Sequence, residues 1–392
     1  MERRPGVPRL LREINDRAAL ELLLASGPLT RGQIGEMTGL SKVTASQTLA
    51  RLEERGLVEV VGELGGGRGP NAALYAVVPS SAYVAGLEVG PEAVTAEVAD
   101  IHGSVVGEAT VAPDGEDEPV AVVHGALLEA CRAAGISLGR LRSIVIGAPG
   151  VVDPRTGDVH FSFDLPRWHH GVHKALAEDL RKEVSIENDV NLAALAERAA
   201  GAAKDTDDFV LVWVGRGLGM AIMLGGRLHR GHSGSAGEIG YLPVPGVPLA
   251  EDIRAVPGRL PSLAGGLQSL VSMEAVTELA ESYGFTGASK AECVAAAVEA
   301  GADGEPLLDE IAARLALGVA SVCVVLDPGL VVLGGEVGRA GGTALADRVE
   351  AAAARICPVP PRVVVSEVSG NPVLRGAVLA ALERAREEVF SG

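Results

Sequence analysis

Aromatic residues make up only 3% of this chain, so Leu, Val and Ala must build most of its core. Cysteine is scarce as well. Cys131, Cys293, Cys323 and Cys357 lie far apart and match neither a zinc-ligand spacing nor a disulfide framework. Long apolar runs are missing. The longest, Leu315–Leu326, is short of the roughly 20 residues that cross a bilayer. The charged start Met1-Glu2-Arg3-Arg4 is not followed by the apolar segment of a leader peptide. These absences exclude a disulfide-stapled domain and a helical membrane protein, and they predict a reduced, cytoplasmic protein with no membrane contact.

What is present is length and acidity. A chain of 392 residues, 47% of them hydrophobic, suits two or three domains with a large core. A net charge of −17 would oppose nucleic-acid binding if it were spread evenly. It is not. Residues 1–70 hold ten Lys/Arg against nine Asp/Glu, so the acid excess lies entirely downstream.

Three helical patterns fit between Leu10 and Arg55. The first places Ile14, Ala18, Leu22 and Leu23 at helical spacing and ends near Ser26-Gly27-Pro28. The second opens at Thr30, which pairs with Gln33 as a capping box. The third opens at Ser41, after a Gly39-Leu40 turn. Helix, short glycine-containing turn and helix is a DNA-reading geometry. The stretch GLVEVVGELGGGRGPNAALYAV then reads as two strands around a glycine-rich tip, a wing.

In SKVTASQTLARLEERG, Val43, Leu49 and Leu52 are expected to face inward with Ala45 beside them. Ser41, Lys42, Thr44, Ser46, Gln47 and Arg51 then face outward. Short hydroxyls, an amide and cations suit base edges and phosphates. An ordinary solvated helix carries acids throughout; here Glu53 and Glu54 come last. At the wing tip, Arg68 between glycines suits a narrow minor groove, and the same stretch also reads as a flexible linker.

After Pro79 the pattern changes to strands. YVAGLEVGPEAVTAEVADIHGSVVGEA and DFVLVWVGRGLGMAIMLGGRLHRG share one plan of strand, glycine turn, strand and turn. Gly90 answers to Gly215 and Gly103 to Gly226, about 120 residues apart. That predicts a duplicated α/β fold of two lobes with a ligand cleft between them.

Several further stretches belong together: LSKVTASQTLARLEERGLV, IGAPGVVDPRTGDV, IENDVNLAALAE, GHSGSAGEIGYLPV and LVVLGGEV. In this order, along nearly the full chain, they resemble the ROK family (repressors, open reading frames and kinases). The resemblance implies a winged helix-turn-helix over residues 1–78. It implies an actin-like, RNase-H-like domain over 79–392, with lobes at about 79–188 plus a C-terminal return and at 189–375. It also implies sugar recognition. Asp189 matches the kinase base, Asn188 and Glu238 match groups that hold sugar hydroxyls, and Pro149, Gly150 and Tyr241 fall in the same pocket. On residue type alone, Asn188 or Asp189 would instead be a helix N-cap.

The phosphate side departs from the family's kinases, which place an acid, glycines, a threonine and a lysine in the first strand turn. Here the turn reads Glu88-Val89-Gly90-Pro91-Glu92-Ala93. Pro91 has no N–H to offer a phosphate, Glu92 adds negative charge, and Ala93 removes a cation. Repulsion of a triphosphate in a cleft is costly. Arg216, in the second glycine turn, suits either an anion or an acid across the cleft. The family's zinc loop would fall at Leu260–Ser269, which holds no Cys or His, and Tyr241 replaces a histidine. His229 and His232 alone make a poor zinc site. A family glutamate that holds sugar is expected at Ser269. Neither a metal nor a cofactor is expected.

The sequence thus predicts a ROK-type repressor. Its partners would be double-stranded operator DNA, a small carbohydrate effector that is not phosphorylated, and further copies of itself in a homodimer or homotetramer. The alternative is an active sugar kinase with an appended DNA-binding domain. A third reading, a ligand-free architectural repressor, requires a filled cleft.

Overall fold

The computed structural model describes residues 8–65, 71–113, 118–162, 165, 168, 171–249 and 265–391. Arg68 and residues 260–264 of the expected zinc-loop segment lie outside these.

The N-terminal domain contains α1 (Pro8–Ser26), β1 (Leu29–Thr30), α2 (Arg31–Thr38), α3 (Lys42–Glu54), β2 (Val58–Leu64) and β3 (Ala72–Val77). Its small sheet runs β1-β3-β2. It is a winged helix-turn-helix. The capping box forms at α2: Thr30 Oγ1 accepts from the Gln33 N–H, and Gln33 Oε1 accepts from the Thr30 N–H at 2.8 Å. Gly39 ends α2 at φ 73°, a conformation glycine adopts freely, and so turns the chain into α3. Two expectations need correction. The buried face of α1 is Asp16, Ala19, Leu20 and Leu23, while Ile14 is half exposed. Val43 is also exposed, and Thr48 takes the inward place on α3 beside Ala45, Leu49 and Leu52.

The first lobe comprises β4 (Tyr83–Val89), β5 (Val94–Asp100), β6 (Val105–Val111), α4 (Pro119–Ala133), β7 (Leu141–Ala148), β8 (Val151–Val152), β9 (Val159–Phe161), α5 (Val172–Leu180) and β10 (Val184–Asn188). Then α6 (Asp189–Ala200) leads to the second lobe. That lobe comprises β11 (Phe209–Val214), β12 (Leu218–Leu224), β13 (Arg227–Leu228), α7 (Gln268–Val271), α8 (Met273–Ser282), α9 (Lys290–Glu299), α10 (Glu305–Leu326), β14 (Leu330–Gly334), α11 (Gly335–Ala354) and β15 (Val363–Val365). The described chain ends in α12 (Pro372–Ser391).

The two large sheets have one topology. The first runs β10-β7-β4-β5-β6 and the second β15-β14-β11-β12-β13. In each, three strands form an antiparallel meander and two more add in parallel to the first of them. The duplication read from the glycine turns is therefore real in three dimensions.

Helices α6 and α12 lie between the sheets. They share one core with Val84, Val145, Phe209, Leu211 and Val332. The outer face of the first sheet packs on α4 and α5, and that of the second packs on α7 through α11. Because both faces are covered, central strands such as Leu330–Gly334 are buried at every position and carry apolar runs rather than alternation. No described helix is long and apolar enough to cross a membrane.

Candidate functional site

The cleft between the lobes is a cavity of about 820 Å³. One wall is the first strand turn, Glu88 to Ala93, with Pro149, Gly150 and Ser162. The floor is the start of α6, with Asn188 and Asp189. The opposite wall is Gly215 to Gly219 with Trp213, Glu238, Tyr241, Gln268 and Glu336. The structure thus brings together Pro149, Gly150, Asn188, Asp189, Glu238 and Tyr241.

Asn188 is the residue that caps α6. Its Oδ1 accepts from the Asn191 N–H at 3.0 Å, and its Nδ2 donates to the Gly150 carbonyl at 3.0 Å. It therefore fixes the loop that carries Pro149 and Gly150. Behind it, Glu187 accepts from the Asn188 N–H, from Asn191 Nδ2 and from Arg230 Nε, the last at 2.6 Å. Asp189 opens the helix beside this braced turn.

Burial pushes the Asp189 carboxyl up to about 7, and the charges of Glu88 and Glu238 add to the rise. The Val190 N–H, donating to Oδ1 at 2.8 Å, opposes it. Glu238 is also raised by burial. Its carboxylate accepts no hydrogen bond among the described residues, so its lone pairs are open to a ligand in the cavity. The backbone before it is crowded: Gly237 sits at φ 103°, and a Cβ there would lie 1.9 Å from the Met220 carbonyl. Only glycine lets the Glu238 loop approach β12 so closely. Burial raises the Tyr241 hydroxyl, with Glu238 adding to the effect.

At the far end of the cleft, Arg216 Nη1 lies 3.8 Å from Glu92 Oε1. Both ends are largely exposed, so the pair contributes little stability. It does place an ion pair between the two turns that would flank a phosphate chain.

One correction concerns the distal segment. The side chain that reaches the cleft is Gln268, which accepts from the Leu218 N–H at 2.8 Å. Ser269 turns away and donates to the Gly266 carbonyl. His229 and His232 are exposed and do not line the cavity. Among the described residues, no cluster of three or more His, Cys, Asp or Glu could hold a metal. The sequence reading missed Trp213, Gln268 and Glu336. Only their places, at the end of β11, at the start of α7 and just after β14, could have suggested them.

On the DNA-binding side, Ser41 caps α3, accepting from the Thr44 N–H. Lys42 and Gln47 are exposed, Thr44 and Ser46 half-buried. Arg31 Nη1 donates to Ser46 Oγ at 3.2 Å, adding a cation that the sequence reading did not include. Arg51 departs from the expected free outward cation. It is paired with buried Asp16 at 2.5 Å and donates to Thr48.

The model of the ROK family matches residues 84–384. The chain belongs to the ROK family. A MarR family model matches residues 14–69, the winged helix in front of the ROK domain. The DNA-binding transcriptional dual regulator NagC of Escherichia coli K12 is 29% identical over 245 residues, 62% of this chain and 60% of NagC. The chain thus spans about 60% of the length of that curated relative. A ROK family transcriptional regulator described as a homologue of the E. coli MLC protein shares the fold at a TM-score of 0.73 and 19% identity. That match covers 97% of this chain and 100% of the other. The ROK hexokinase from Thermus thermophilus is 28% identical with a TM-score of 0.62, over 78% of this chain and 99% of its own.

Proposed function

We propose that the chain is a DNA-binding transcriptional repressor whose ROK domain senses a sugar or sugar derivative without phosphorylating it. NagC, described as a DNA-binding transcriptional dual regulator, and the xylose repressor of Bacillus subtilis support the first half of this reading. The observation that carries the second half is the first phosphate turn: Pro91 lacks a donor, and Glu92 faces Arg216 where a phosphate chain would run. A triphosphate would have to displace that pair and lie against a carboxylate. Asp189, Asn188 and Glu238 remain in an open cleft, which favours a sensor over a purely architectural repressor.

A second reading rests on one specific feature. A buried carboxyl raised to about 7 is what a general base for a sugar hydroxyl requires, and ROK relatives include kinases. A coupled assay with Mg-ATP over common hexoses separates the readings. The sensor gives background rates; turnover that disappears in Asp189→Ala makes the chain a kinase. In the proposed repressor, a homodimer or homotetramer presents two α3 helices to an inverted repeat. Its half-sites lie about one helical turn or a multiple apart.

A further inference from the structure

Helix α12 touches both ends of the molecule. Asn371 precedes it and does two things. Its Oδ1 accepts from the Val373 and Leu374 N–H groups at 3.0 and 3.2 Å, capping the helix. Its Nδ2 donates to Glu88, a carboxylate in the cleft wall. Val373, one residue into the helix, lines the same cavity. At the other end, Phe390 is 3% exposed and belongs to the core of the winged helix, with Ala19, Leu20 and Leu23. The Val389 carbonyl accepts from Arg55 at 2.6 Å, at the C-terminal end of α3. From Val373 to Phe390 the helix spans about 26 Å.

The body of the helix is locked. A Cβ on Gly376 would lie 1.9 Å from the Leu192 carbonyl on α6, and one on Gly86 of β4 would lie 2.7 Å from the Val378 nitrogen. Backbones at that distance move together. The winged-helix end is less filled. A crevice of about 370 Å³ separates α1 from α12, lined by Arg17, Glu21, Leu24, Leu379, Glu383 and Phe390. A stiff element with one end tied to a cleft carboxylate and the other set into a partly open joint converts a small shift into a tilt.

We propose that α12 is a strut between cleft and DNA-binding domain: the Asn371–Glu88 bond sets its position, and Phe390 passes that position to the winged helix. A sugar that takes over Glu88 releases Asn371 and changes how the winged helix is seated. The role of the sugar rests on the sensor reading; the mechanical link does not.

Asn371→Asp tests the link. Aspartate still caps a helix but has no N–H to donate and sets a like charge against Glu88. Native-state hydrogen exchange is measured on the full chain, without sugar or DNA, so failure here is separate from failure of the sensor reading. The expected result is a rise above threefold at the Leu20, Leu23 and Phe390 amides, relative to Met220–Ile222 in β12. Phe390→Ala, in the reverse direction, should raise exchange at Val373 and Leu374. A rise below threefold at the winged-helix amides in Asn371→Asp, or an equal rise in β12, overturns the proposal.

Discussion

Asp189 holds a proton at a pH where most carboxylates have lost theirs. Its folded value is about 7, against 3.8 for the free side chain. Between those values the folded chain binds a proton that the unfolded chain releases, so this residue makes stability fall as pH rises through the window and level off above it. Asp189→Asn should therefore gain on wild type by about 1–3 kcal/mol between pH 5 and pH 8. Calorimetry at the two pH values checks this; a constant difference would mean that the carboxyl is not held protonated. The meeting of these residues in one cleft was legible in the sequence, because IENDVN and GEIGY carry them in order. Its electrostatics were not, since Glu88 and Glu238 are far from Asp189 in sequence. Gln268 was missed for a simpler reason: a loop has no periodicity to fix its register, so a one-residue slip put Ser269 in its place.

Helix α3 shows how far periodicity goes at the scale of one element. Its inward positions, Ala45, Leu49 and Leu52, follow the helical repeat. Val43 does not share that face: two residues before Ala45, it lies about 200° away around the helix and stays exposed. The burial of Asp16 explains Arg51. A carboxylate 5% exposed on α1 needs a cation, and the two residues are 35 positions apart, which no local pattern reports. The two outward polar residues should then behave differently. Gln47→Ala should weaken operator binding by about 1–3 kcal/mol more than random DNA if it meets a base edge. Arg51→Ala should weaken both equally and destabilise the winged helix by about 1–3 kcal/mol, because it leaves buried Asp16 with only the longer contact to Arg55 at 3.8 Å. Competition binding on the two DNAs, with thermal melts of each variant, separates the roles. A selective loss with Arg51→Ala would return it to the DNA face.

Across the whole molecule, the two-lobed plan was legible because duplication repeats its glycine turns: Gly90 and Gly215, Gly103 and Gly226. The seating of the N-terminal domain was not. The sequence suggests only the Val77–Ser80 link, whereas Arg55 and Val389 meet across 334 positions and Phe390 completes a core that begins at α1. The scarcity of aromatic residues, noted first as a limit on the core, has a spectroscopic consequence. The chain has two tryptophans. Trp168 is 5% exposed inside the first lobe, and Trp213 lines the cleft against Gly215 and Gly334. In Trp168→Phe the remaining indole emission comes from the cleft alone. A sugar or sugar phosphate entering there should shift its wavelength or intensity, whereas one bound elsewhere should leave the spectrum unchanged. The molecule thus carries its own optical probe at the place where a ligand would first be felt.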